Sequence, residues 1–221
     1  RTALHKVAQD LLEIQAKRSL LQGLAFPKEY GGSGGNFLDM TILLEEMGRA
    51  LVPIPFLPTI VYCGLPILKA GTEEQKKQFI PKIISGELIL TLALTEPSVS
   101  YTASGIAVKA TPGGEDYVIN GTKLFVPDAW SADYLLCVAR TKESHTPEEG
   151  ITLFLVNRES PGLSYTLLKT IAYDQQYEVV FDNVRVPKEN MLGKPDQGWP
   201  IVARVLDQGA IAQCALMVGG A

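Results

Sequence analysis

The sequence is short of the residues that build metal and disulfide sites. Its three cysteines, Cys63, Cys137 and Cys214, are odd in number, far apart and without a Cys-x-x-Cys pair, and only His5 and His145 could assist them. That set fits neither a zinc site nor a disulfide framework. Buried thiols in a reducing compartment are expected, with no metal. A basic block is missing too. Twenty Lys and Arg against 24 Asp and Glu give a net charge of −4, which argues against nucleic acid or an anionic lipid surface as a partner. No Gly-Lys-Ser/Thr follows the glycine-rich run at 27–35 and no clear strand precedes it, so the Walker and dinucleotide fingerprints are both absent. Residues 50–68 carry no charge and are long enough to suggest a membrane span. Pro53, Pro55, Pro58 and Pro66 oppose that, because each removes a backbone donor; an irregular entry and a short buried helix are expected instead.

What is present is an ordinary globular composition, 46% hydrophobic and 20% charged over 221 residues, enough for two modest domains. Apolar residues recur at helical spacing over 4–21 and again from Asp39 to Ala50. Thr72 and Gln75 form a capping box for a third helix, which Pro81 should kink and Gly86 should stop. The pattern then changes. Short apolar runs at 88–95, 105–110, 116–120, 121–127, 133–140, 151–157, 163–169 and 176–181 are separated by Gly, Pro, Asn or Asp, with no helix-length period between them. An antiparallel barrel or sandwich is expected, with YLLCVA and ITLFLV central because they are apolar on both faces.

Within that region Asn120-Gly121 predicts a tight type I′ hairpin. Alternation then puts Leu124 and Val126 on one face and Lys123 and Phe125 on the other, which makes Phe125 either ordinary packing in a surface hairpin or an aromatic platform for a flat ligand. Helix returns at Pro200, and residues 208–221 carry no charge. A helix apolar all round has to be covered all round. Little earlier in the chain looks spare for that, so covering helices are expected from further sequence or a second subunit.

Several motifs stand in a specific order: PKEYGGSGG at 27–35, GTEEQKKQFIPKIISGE at 71–87, LTEP at 94–97, INGTKLFVPDAWSADYLLCVAR at 119–140 and VFDNVRVPKENMLG at 180–193. Taken together they resemble the acyl-CoA dehydrogenase family along essentially the whole chain. The resemblance implies an α+β multidomain fold: an N-terminal α-helical domain over 1–88, a middle β-barrel domain over 89–193, and the first helix of a C-terminal four-helix bundle over 194–221. It implies FAD as cofactor, an acyl-CoA thioester as substrate, electron-transfer flavoprotein as electron acceptor, and a homo- or hetero-oligomer. The implied reaction is α,β-dehydrogenation, in which a carboxylate takes the α-proton and the β-hydrogen leaves as hydride to flavin N5.

By the same resemblance Leu94, Thr95, Phe125 and Val126 are the cofactor contacts, and Ser100 and Tyr101 face the substrate and phosphate side. The chain also departs from the pattern. Phe125-Val126-Pro127 lacks the hydroxyl that usually meets N5, and Ser98 to Thr102 replaces the usual GAGSD, with Tyr101 at the serine position. Leu206-Asp207-Gln208-Gly209-Ala210 has glycine where some members carry the catalytic Glu, which places the base beyond Ala221. Asp207 and Glu96 are given structural roles. The departures motivate an alternative, a non-catalytic or half-site subunit of a heteromeric dehydrogenase.

Overall fold

The computed structural model describes residues 19–52, 54–172 and 174–221. The helix expected over 4–21 therefore lies almost wholly outside the described residues. Helix α1 spans Phe37–Arg49 and opens on a capping box in which Asn36 accepts from the amides of Leu38 and Asp39 while Asp39 accepts from Asn36. The proline-rich stretch becomes a π-helical segment, Leu57–Gly64, running directly into α2, Leu65–Ala70. Pro58 stands in the first turn of this run, where a missing N–H costs least, whereas Pro66 falls inside it, at the change from π to α geometry.

Helix α3, Glu73–Ser85, has the predicted box: Thr72 Oγ1 takes the Gln75 amide at 3.2 Å and Gln75 Oε1 takes the Thr72 amide at 3.1 Å. The Gln75 Nε2 group also donates to the Glu189 and Met191 carbonyls, tying the helix to the far end of the sheet. Pro81 sits inside α3 without interrupting it, and Gly86 ends it at φ +75°.

Eight strands follow: β1 Leu90–Ala93, β2 Lys109–Gly113, β3 Asp116–Pro127, β4 Tyr134–Arg140, β5 Ile151–Asn157, β6 Leu163–Leu168, β7 Gln176–Pro187 and β8 Met191–Leu192. They form one sheet in the order β6-β7-β3-β2-β4-β5-β8, with β1 beside β4. Pairing is mostly antiparallel, but β1 runs parallel to β4 from Leu90↔Tyr134 to Ala93↔Cys137, and β2 meets β4 in parallel at Lys109↔Arg140. The expectation of a purely antiparallel sheet is corrected here. The β2–β3 hairpin is inserted between β1 and β4, so the two lie side by side pointing the same way.

The predicted hairpin at Asn120-Gly121 is also corrected. Strand β3 continues through it because both halves pair with β7, Tyr117–Ile119 opposite Val184–Val186 and Gly121–Lys123 opposite Val179–Phe181. Asn120 fastens the register shift instead, its Oδ1 accepting the Asn183 amide at 2.8 Å. The hairpin turn lies at Gly114-Glu115, between the paired Gly113 and Asp116, with Gly114 at φ +80°.

Alternation places Leu135, Cys137 and Ala139 of β4 in a core inside the curled sheet and Leu136 and Val138 in a second core against the helices. Strand β5 divides in the same way, Phe154 and Val156 inward and Leu153 and Leu155 toward the helices. Both strands are central, as their two-sided apolar pattern predicts.

The last helix, α4, spans Trp199–Gly220 and turns Val202, Val205, Gly209, Ala212 and Gly219 inward. It lies closely on α1: a Cβ added at Gly219 would stand 1.8 Å from the Glu45 carbonyl, and one at Gly48 2.1 Å from the Leu216 carbonyl. Little earlier in the chain was expected to cover α4, and helix α1 does so on one side only. Ile211, Met217 and Val218 stay exposed. By length and composition alone α4 is apolar enough to cross a membrane. Cys63 and Cys137 are buried as expected, whereas Cys214 is exposed on α4. Its neighbours on the helix face outward with it.

Candidate active site

A cavity of about 540 Å³ lies where β1, β3, the β6–β7 loop, the π-helical segment and α4 converge. Its lining is mainly apolar, including Leu92 and Leu94 from β1 and its extension, Phe125 from β3, and Val205 and Leu206 from α4. Thr95, Tyr101, Thr170, Gln176 and Gln213 bring polar groups, and Asp174 is the one charged residue among the described lining residues. An apolar pocket with a few convergent polar groups is the ordinary form of a small-molecule site.

Sequence reasoning named six binding residues, and four of them meet here: Leu94, Thr95, Tyr101 and Phe125. Val126 turns away into the sheet core at 1% exposure. Ser100 lies outside the lining, with its hydroxyl 2.9 Å from that of Thr102. The expected alternation fails at this wall. Register slips between Lys123 and Val126, and Phe125 stands at φ +52°, so Lys123 and Val126 are both buried while Phe125 is 46% exposed toward the cavity. A β-bulge re-aims side chains in this way.

Glu96 is structural, as expected, and it is also one half of a buried ion pair that sequence reading missed. Lys123 Nζ donates to Glu96 Oε1 at 2.6 Å and to the Leu94 carbonyl at 3.0 Å. The carboxylate also accepts the amides of Ala107 and Val108. Alternation hid the pair by assigning Lys123 to the face of Phe125. Asp207, expected to hold a structural hydrogen bond, is instead exposed and makes no side-chain hydrogen bond among the described residues.

Gln176 was not foreseen either, since it reads as the plain first residue of a strand. Its Nε2 donates to Asp174 Oδ2 at 2.7 Å, which fixes the amide so that Oε1 is buried with no partner among the described residues. Thr170 Oγ1 donates to the same carboxylate. These two hydrogen bonds, from Thr170 first and Gln176 second, hold the Asp174 carboxyl below the usual carboxylate range and make it a weak proton acceptor. Asp128, next to the cavity, is pushed the other way by burial and by the charge of Asp174. Gly209 faces the Tyr62 ring so closely that an added Cβ would stand 2.6 Å from its Cε1. No side chain fits there without moving Tyr62.

Two family models match in register with these elements: "Acyl-CoA dehydrogenase, N-terminal domain" over 5–87 and "Acyl-CoA dehydrogenase, middle domain" over 91–184. The chain belongs to the acyl-CoA dehydrogenase family. Among curated relatives it is 35% identical to a short-chain specific acyl-CoA dehydrogenase of Megasphaera elsdenii, over 97% of this chain and 58% of that one. The butyryl-CoA dehydrogenase structure from the same organism superposes with a TM-score of 0.85 at 34% identity, covering 93% of this chain and 56% of the other. The ChsE4–ChsE5 complex of Mycobacterium tuberculosis gives a TM-score of 0.78 at 32% identity, covering 88% and 50%. The chain spans about half the length of the curated relatives it matches.

The cofactor that the family implies can be tested against this cavity. Phe125, Leu92 and Leu94 give the cavity apolar faces suited to a flat ring, and the Gln176 oxygen, without a partner among the described residues, would accept from a ring N–H. The fit stops at the diphosphate, because none of the described lining residues is Lys, Arg or His.

Proposed function

We propose that the protein is an FAD-dependent acyl-CoA dehydrogenase whose ring-binding wall lies in this chain. The observation that carries the reading is the convergence of Leu94, Thr95 and Phe125 on one apolar cavity in a chain of this family. FAD, when bound, supplies the hydride acceptor. Phe125, Leu92 and Leu94 would pack on the ring and keep water from it, while Thr95 and Gln176 offer hydrogen bonds at its edge. Pro127 offers none, and its carbonyl already accepts from Thr91 Oγ1 at 2.5 Å.

The α-proton needs a carboxylate base, which typically contributes 10²–10⁴-fold. Asp174 is poorly suited, being exposed and made a weak proton acceptor by its hydrogen bonds. Asp207 has no place in the cavity lining and Gly209 has no room for a side chain. By the family resemblance the base in this reading belongs to sequence beyond Ala221, and electron-transfer flavoprotein takes the electrons from an oligomeric enzyme.

A second reading is favoured by the lack of a cation among the described lining residues and by Pro127. The protein would then be a half-site subunit of a heteromeric dehydrogenase, with the diphosphate held by its partner. The resemblance to the ChsE4–ChsE5 complex supports this alternative. Anaerobic titration of the purified full-length protein with acyl-CoA thioesters separates the two. A visible flavin band that bleaches supports the enzyme, a protein that holds FAD only when its partner subunit is co-purified supports the half-site subunit, and one that stays colourless with FAD both alone and with co-purified partners overturns both.

A further inference from the structure

Lys123 and Glu96 are 0% and 5% exposed. Stripping water from two ions is costly, and a buried pair is often matched in stability by apolar residues of similar volume. Stability alone therefore gives no account of this pair, whereas its geometry does. Lys123 Nζ holds the Glu96 carboxylate and the Leu94 carbonyl together, and the carboxylate draws in the amides of Ala107 and Val108. One residue along, the Leu124 amide donates to the Thr95 carbonyl at 2.8 Å. Three backbone segments, the extension of β1, the lead into β2 and the bulge of β3, thus close on a single ion pair.

The bulge needs such an anchor. A bulky residue at positive φ is strained, and strain of this kind persists only where the surroundings fix it. Phe125 stands at φ +52°, with Val126 set in the sheet core on one side and Lys123 pinned on the other. Neither ion lines the cavity; the residues they hold, Leu94, Thr95 and Phe125, do.

We propose that the Lys123–Glu96 pair is a positioning device that fixes the β3 bulge, so that Thr95 and Phe125 present a preformed wall to a flat ring. The ring as ligand rests on the flavin reading above; the anchoring of the bulge does not. Removing one ion strands the other in the core, so Lys123→Met and Glu96→Gln alone are expected to unfold the protein whatever the pair is for. The deciding variant is the double Lys123→Met, Glu96→Gln in the full-length protein. It carries no buried charge, keeps an acceptor for the Ala107 and Val108 amides, and has lost the donor to Leu94.

Its expected behaviour is cooperative unfolding near the parent's midpoint, with amide hydrogen exchange at 123–126 about tenfold or more faster. Flavin affinity should drop by a similar factor, with an altered visible flavin spectrum. Parental exchange rates, affinity and spectrum in a folded double variant would overturn the proposal. A double variant that does not fold also overturns it, since the pair would then serve the fold rather than the wall. A parent that binds no flavin sinks the flavin reading separately, and the exchange measurement still decides whether the pair holds the bulge.

Discussion

At the scale of single residues, the cavity wall depends on groups whose roles come from tertiary partners. Gln176 shows this: its useful atom is the oxygen left over once Asp174 has claimed the nitrogen. Gln176→Leu should leave the fold intact and weaken flavin binding by about tenfold, the worth of one buried hydrogen bond, measured by flavin fluorescence titration. Asp128 gives a pH-dependent case. Its folded-state pKa is raised, by burial first and Asp174 second, so the native state holds that proton more tightly than the unfolded chain does. The stability cost of ionising it is absent below the ordinary carboxylate range and develops as pH rises through the folded value. Asp128→Asn removes the cost, and Asn also tolerates the φ of +52° at this position. Its gain in Tm over the parent should therefore be larger at about pH 7 than at about pH 3. Equal gains at both would show that burial of the charge is not the cause.

At the scale of elements, periodicity and caps located the helices from residue 37 onward and most strands, since local sequence decides those: the Thr72 and Gln75 box, the two-sided apolar runs of β4 and β5, and the proline-laden helix entry all stand where the pattern puts them. Asn120-Gly121 was misread because a turn-forming pair does not turn when both flanks pair with one long strand, and no local signal in β3 announces β7. The bulge at Phe125 was hidden for the same reason: period-2 alternation cannot register an inserted residue. Helix contacts were illegible as well, since Gly48 and Gly219 read as weak helix formers and act as clearance between α1 and α4. Gly48→Ala adds helix propensity worth about 1 kcal/mol, yet its Cβ meets the Leu216 carbonyl. A net loss of about 1–3 kcal/mol is expected in urea unfolding, because backbone cannot step aside as a side chain can.

At the scale of the whole molecule, the three thiols report which surfaces are closed. Cys63 and Cys137 are buried, and burial pushes the Cys137 thiol up to about 12. A thiol reagent should leave Cys63 and Cys137 unlabelled in the native protein and reach all three cysteines after denaturation; labelling of Cys137 without unfolding would contradict the packing of the sheet core. The two cores of that packing share a wall. Strand β4 sends Leu135, Cys137 and Ala139 into one and Leu136 and Val138 into the other, so neither core can come apart without exposing half of the same strand. The boundary between helical and sheet regions is therefore one of sequence and not of cooperativity. Cutting the backbone between α3 and β1 should yield two pieces that stay associated and melt in a single transition, and neither piece should persist as a folded body by itself.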